Sequence, residues 1–327
     1  MSAVSESQEN RTMGASRASR TEQRGKSGWG GKRNAIPRQK VRHESRVFNV
    51  VNMLLLTLFT LLIAIPVWNI VISSFASTKA LSQGGFTFWP SELSLDNYRS
   101  VLNDSSLWQA FFISVSKTAI GIVTHVLFCA IFAYPLSKAY LRGRKFYSAM
   151  GIITMFFGGG MIPFYLLLKN LGMLDTFWVY IIPALFSYYD VVILMNFFRQ
   201  IPVSLVESAR IDGASEWRTF VSIILPLSKP ALATIALFNG VSQWNDFMTT
   251  KLYINNDALY PLQMRLYNMI VKSQAAAEMG MGHVMLDTSS RGMRLATIMI
   301  TIAPILILYP FVQRYFVSGT LLGAVKQ

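Results

Sequence analysis

Two clusters in otherwise apolar stretches carry the side chains that could do chemistry. Tyr188, Tyr189, Asp190 and Asn196 lie close together, and Asn239, Gln243 and Asp246 recur at helical spacing beside Trp244 and Asn245. Aromatic faces combined with amide and carboxylate hydrogen bonds are a common way to hold a sugar. Ionisable groups inside a membrane usually face a bundle interior or a water-filled cavity, which makes these positions candidates for a solute pathway. The same groups have structural uses: polar side chains bond helix to helix, and Trp and Tyr anchor membrane interfaces. Catalysis has less to work with. An enzyme would need a nucleophile with its base, or a metal set. His43, His125 and His283 are far apart, and none is expected to have a metal-ligand partner at short spacing. Cys129 is the single cysteine, so no disulfide framework or cysteine metal site can be built.

Composition explains where such clusters sit. A length of 327 residues would alone suggest about two domains, but 52% hydrophobic and only 14% charged residues point to an all-α, polytopic membrane protein. The net charge of +14 is unevenly placed, with eleven of the thirty Lys and Arg residues before Val47. A basic cytoplasmic tail near anionic lipid headgroups accounts for it without nucleic acid. Residues 1–46 lack apolar periodicity and read as a disordered tail. Within them Arg24-Gly25-Lys26-Ser27 resembles the end of a phosphate-binding loop, but Arg20 stands where the opening glycine belongs, so ATP is not expected to bind here. No secretory signal pattern is found near Met1.

From residue 47 onward six apolar stretches are long enough to cross about 30 Å of hydrocarbon. They lie at about 48–73, 107–136, 146–168, 176–198, 230–248 and 293–316. Lys117 falls inside the second and is read as snorkelling or paired. Gly158-Gly159-Gly160 and Pro163 break the third, as a hinge or packing device. Six spans put both termini on one side. The tail, the link at residues 138–145, the stretch at 202–230 and the C-terminus hold nineteen Lys and Arg against seven in the opposite loops, which places the termini in the cytoplasm.

The stretch Pro202–Pro230 is the one long segment between apolar blocks that mixes charge with a helical pattern. Val203, Val206, Ala209 and Ile211 could supply an apolar stripe, with Glu207 and Arg210 on another face. Glu207-Ser208-Ala209 is followed by Asp212-Gly213-Ala214 and then by Ile223, Leu225 and Pro226. At that spacing the segment resembles the cytoplasmic signature of permease subunits in binding-protein-dependent ABC importers, with Ser208 where the family usually has Ala. The run Ala133–Lys138, Trp244–Phe247 and the C-terminal Phe316–Gly319 with Gly323–Lys326 are similar to the carbohydrate branch. The block Phe156–Pro163 is similar to a polysaccharide-type subgroup.

The resemblance implies a type I ABC importer permease fold of six transmembrane helices in a bacterial cell membrane. It implies import of an oligosaccharide or polysaccharide fragment, with an importer of another solute such as peptides as the alternative. A second homologous permease would complete a heterodimer, two ATP-binding subunits would hold ATP and Mg, and an extracellular sugar-binding lipoprotein would deliver substrate. This chain would bind no cofactor and catalyse nothing itself. Residues at about 202–217 would form the coupling helix seated on an ATPase, through Glu207, Ser208, Ala209, Asp212, Gly213, Ala214 and Pro226. Glu207 would pair with a basic group there, Gly213 would permit a close approach, and Pro226 would restart the chain toward the fifth span.

Overall fold

The computed structural model describes residues 46–82, 85–278 and 288–324, and for residues 46, 276–278, 288–290 and 311–324 the backbone alone. The expected tail at residues 1–46, its Arg24–Ser27 run, His43 and His283 lie outside the described residues, apart from Arg46 at the start of the first helix. The fold is all-α, as the composition requires. Among the described residues the one strand-like feature is a single antiparallel bridge between Ala76 and Leu93. By compactness the chain divides after Phe59. The first unit contributes the opening of helix α1 (Arg46–Ser74), which is apolar and exposed. The second unit holds everything that follows.

There, α2 (Thr78–Ser82) and α3 (Asp96–Asn103) lead into α4 (Ser105–Ser137), the long helix around which the second unit packs. Asp104 caps its start, the carboxylate accepting from the Ser106 N–H at 2.8 Å. Then come α5 (Arg144–Phe156), α6 (Met161–Asn170), a 3-10 turn at Phe177–Tyr180, α7 (Tyr188–Phe198), α8 (Val203–Ile211) and α9 (Glu216–Leu227). The last four are α10 (Lys229–Asn245), α11 (Met248–Tyr253), α12 (Leu262–Glu278) and α13 (Thr288–Ala324).

Among the described residues three helices are individually long and apolar enough to cross a membrane: α1, α4 and α13. Three further pairs pass only together, each bent at a short break: α5 with α6 by 109°, α7 with α8 by 77°, and α9 with α10 by 77°. The stretch read as a third span therefore turns sharply at Phe157–Gly160, where Gly160 adopts φ +87 and ψ 165, a conformation essentially confined to glycine. The stretch read as a fourth span, about 176–198, becomes continuous helix only from Tyr188. Its first half is the 3-10 turn and the irregular residues up to Ser187. Pro183 explains this, because proline has no N–H to donate and crowds the preceding turn.

Lipid offers no hydrophobic drive between helices, so contact must come from close packing and buried polar bonds. Small residues on α4, among them Ala110, Gly121, Ala130 and Ala133, are buried where α7 and α10 lie against it. One core gathers Cys129, Val191, Leu194, Ile224 and Ile235. A second joins Leu107, Trp244, Leu262 and Ala296, with the Trp244 indole N–H donating to the Thr301 carbonyl at 3.0 Å. The closest approaches are at glycines. A Cβ on Gly151 would stand 2.1 Å from the ring of Tyr188, and one on Gly292 would stand 2.0 Å from the side chain of Asn97. Asn97 is itself buried and donates to the carbonyls of Ser74 and Ala76.

Gly151→Val should therefore destabilise the purified protein by about 1–3 kcal/mol through overpacking. Gly158→Ala, where a Cβ meets nothing within 4 Å, should be close to neutral. Thermal unfolding in detergent compares the two, and equal midpoints would contradict the packing described.

Candidate functional site

The segment Pro202–Pro230 folds as helix, glycine turn, helix. Pro202 opens α8 from an extended-side conformation, and the helix ends at Asp212. Gly213 then takes φ +77, the Gly213 N–H donates to the Arg210 carbonyl at 3.0 Å, and the Ala214 N–H reaches back to the Ala209 carbonyl at 2.9 Å. These two bonds form a Schellman cap, which needs a left-handed residue where Gly213 stands. A Cβ there would meet nothing within 4 Å. The requirement inside this chain is thus conformational, and the space outside Gly213 is open. Ser215 starts the next helix, its hydroxyl accepting from the Arg218 N–H at 3.2 Å.

The expected apolar stripe is split. Val206 and Ala209 are buried beneath α8, whereas Val203 and Ile211 point away, with Ile211 87% exposed. A helix turns 100° per residue, so four apolar positions over nine residues need not share one face. Glu207 and Ser208 are exposed as well, and among the described residues Glu207 has no ion pair. With Trp217, 63% exposed, these residues present an outward face that mixes a carboxylate with bare apolar groups. Pro226 does not itself break the chain. It lies in the helical turn Leu225–Leu227, and the direction changes at Ser228. The lost proline N–H is accommodated by a π stretch at Phe220–Ile224, in which the Leu225 N–H bonds to the Phe220 carbonyl.

Arg210, expected to share a face with Glu207, stays exposed but leans toward the link after α4 and ion-pairs with Glu216. The Glu216 carboxylate also accepts from the Tyr134 hydroxyl at 2.7 Å and the Tyr140 hydroxyl at 3.1 Å, while Arg210 donates to Tyr140 at 2.6 Å. Arg210 stacks over the Tyr140 ring, Lys138 over the Tyr134 ring, and Tyr134 packs on Phe220. This knot ties the exposed turn to the end of α4. Burial pushes the Glu216 carboxyl up, but the hydrogen bonds from Tyr134, Arg210 and Tyr140 outweigh it and hold the group below the usual carboxylate range. Its contribution is complete above the ordinary glutamate pKa, about 4.3, and is lost only as pH falls through the lowered folded value. Glu216 belongs to the stretch that the signature picks out, but nothing in the spacing links it to Tyr134, 82 positions earlier.

The polar cluster expected on the fifth span is dispersed over several faces. Trp244 is buried in a core, and Asn245 is exposed, accepting from Gln263. The Asn239 side-chain oxygen is buried with no hydrogen-bond partner among the described residues. Gln243 and Asp246 come together on a cavity of about 410 Å³, which also takes in Phe164, Tyr180, Thr249 and Tyr253. Asp246 is a joint. Its backbone carbonyl and carboxylate face the Lys117 ammonium at 2.8 and 3.4 Å, and its other oxygen accepts from the Thr249 N–H. Lys117 is wholly buried and lies over the Tyr180 ring. It is paired, not snorkelling, and it caps the carbonyl end of α10.

The cluster on α7 is also structural in its contacts. Tyr188 is buried against Gly151, and Asp190 bonds His125 Nε2 at 2.9 Å. His125 Nδ1 faces the Ala184 carbonyl at 2.7 Å, which can only accept, so that nitrogen carries its hydrogen. The expectation that His125 has no ligand-type neighbour at short spacing fails, because Cys129 lies one helical turn on with Sγ 3.6 Å from Nε2. No group of three such residues able to hold a metal occurs among the described residues.

Comparison with known proteins agrees with this architecture. A family model described as "Binding-protein-dependent transport system inner membrane component" matches residues 41–321. Protein LplC of Bacillus subtilis is 41% identical over 281 residues, covering 86% of this chain and 95% of the relative. The polygalacturonan/rhamnogalacturonan transport system permease protein YtcP of the same organism is 37% identical, covering 86% and 99%. A crystal structure of a bacterial ABC transporter involved in import of the acidic polysaccharide alginate contains a chain that superimposes with a TM-score of 0.75 at 33% identity, covering 83% of this chain and 97% of that one. The chain belongs to the inner membrane components of binding-protein-dependent transport systems.

Proposed function

We propose that this chain is one transmembrane permease of an ATP-driven importer of oligosaccharides or polysaccharide fragments. It forms half of the translocation pathway with a second, homologous permease. The observation that carries the reading is the exposed turn around Gly213. It displays Glu207 and Ile211 outward, leaves open space at Gly213, and is anchored to α4 by the Glu216 knot. An importer must alternate between two states, and ATP drives the change only by binding one state better than the other. A groove on a separate ATPase, closing on ATP and Mg, would grip this turn, and the knot would pass the displacement to α4 as rigid-body motion. Glu207 would meet a basic group of that groove. The open side of Gly213 would admit it closely, and Ser208, Asp212 and Ala214 would fill its edge.

The relatives named for polygalacturonan and rhamnogalacturonan, and the alginate importer, favour saccharide cargo over peptide. An extracellular saccharide-binding protein would deliver it. The Lys and Arg bias supports a cytoplasmic side for both termini and the turn.

Reconstitution with the second permease, the ATPase and the binding protein, followed by uptake of labelled oligogalacturonides and arabino-oligosaccharides, tests the reading. ATP-dependent accumulation of either is expected, and accumulation of labelled peptides alone would overturn it. Glu207→Lys and Gly213→Asp should leave the protein inserted and abolish ATP-driven uptake. Normal uptake in either would sink the coupling assignment. Glu216→Ala should behave differently, with ATP hydrolysis continuing while transport per ATP falls about tenfold. A proportional fall in both rates would instead mean that the knot serves folding alone.

A further inference from the structure

The 410 Å³ cavity at the end of α10 has no assigned occupant, and its walls are unusual for a membrane protein interior. Phe164 and Tyr253 provide aromatic surface over the buried Tyr180, while Gln243, Asp246 and Thr249 provide amide, carboxylate and hydroxyl groups. We propose that this cavity is a saccharide subsite carried by this chain itself, binding a sugar ring by one apolar face and its hydroxyls. The proposal rests on the importer reading and gives this subunit a direct hold on the cargo.

Three observations support a built site. The size lies within the range of small-molecule clefts, roughly 300–1,000 Å³. The polar groups are fixed in place: the Gln243 amide donates to the Tyr180 carbonyl at 3.2 Å, and Asp246 is held by Lys117 and the Thr249 N–H. The aromatic wall is also held. Tyr253 stacks on Tyr165, and its carbonyl accepts from the N–H of Asp175 at 3.0 Å. Asp175 is the sole non-glycine residue with positive φ among the described residues, +58, and its carboxylate binds the Asn255 and Asn256 N–H groups to keep that turn. Phe164 enters from α6, one turn after the sharp break at Phe157–Gly160. A broken helix at membrane depth is tolerated where it lines a cavity or is buried in protein.

The walls also select against other occupants. A lipid chain or an apolar partner helix would set Gln243 and Asp246 against hydrocarbon, where unsatisfied polar groups are costly. A cation would find Asp246 already paired with Lys117. That pairing leaves the wall without net charge, so the site reads hydroxyls and ring faces, which acidic and neutral sugars share.

Ser242 lies exposed on the cavity wall, and the native Cys129 is wholly buried, so Ser242→Cys provides a reporter. In the complete reconstituted complex, maleimide labelling of this position should slow several-fold with saturating oligogalacturonide or arabino-oligosaccharide, but not with a dipeptide. Tyr253→Leu, which keeps apolar bulk but removes the aromatic face, should raise the KM for saccharide uptake about tenfold, with kcat little changed. Wild-type uptake of these sugars with unaltered labelling at position 242 and an unaltered KM in Tyr253→Leu would overturn the subsite while leaving the importer reading intact. Failure of the wild-type complex to take up any saccharide would instead overturn the importer reading.

Discussion

The link between the exposed turn and the membrane helices depends most on the Glu216 carboxylate. Four side chains meet there from two distant parts of the chain: Arg210 beside the exposed turn, Glu216 just after it, and Tyr134 and Tyr140 from the end of α4 and the link beyond. Without the knot, α8 would be held mainly by Val206 and Ala209, two small contacts beneath an otherwise exposed helix. Charge-assisted hydrogen bonds are directional and stronger than neutral ones, so they fix the angle of the turn as well as its attachment. Force applied at Ile211 or Glu207 therefore has a defined route into α4, the helix around which the second unit packs.

That helix is in turn the common wall of the buried polar pairs. Lys117 reaches from α4 to the end of α10, and His125 reaches to Asp190 at the start of α7. In lipid such pairs specify which helix lies where, because apolar contact alone discriminates poorly. They also explain why the cavity stays polar at its base: the charge of Asp246 is balanced from behind by an ammonium with no other outlet. The broken α5–α6 pair and the irregular residues before Tyr188 border the same region, and irregular backbone of that kind persists where protein or a cavity satisfies it.

Much of this was legible in the sequence. Apolar content announced a helical membrane chain, and the Glu207-to-Pro226 spacing announced the family, because both are local patterns. The triple glycine marked the break in the third span, and Gly213 marked the turn. What local patterns could not carry was pairing across distance. Glu216 with Tyr134, Lys117 with Asp246 and His125 with Asp190 each join residues more than sixty positions apart. The same limit divided the expected polar cluster, since spacing put Asn239, Gln243 and Asp246 on one side of a helix but not opposite any particular neighbour. Trp244 and Tyr188 are large enough to line a pathway or fill a core, and only packing decided for the core. Pro226 misled for a different reason, as the π stretch before it absorbs the missing hydrogen bond and moves the bend to Ser228.

The central claim is that the turn and α4 move as one body. Spin labels at Ile211 and at Ile131, both exposed, measure it directly by pulsed electron resonance in the reconstituted complex. One narrow distance distribution is expected, the same with and without ATP, and broadened in Glu216→Ala. A distance that shifts with nucleotide in the otherwise unaltered protein would contradict it, because the turn would then be moving independently of the helix it is tied to.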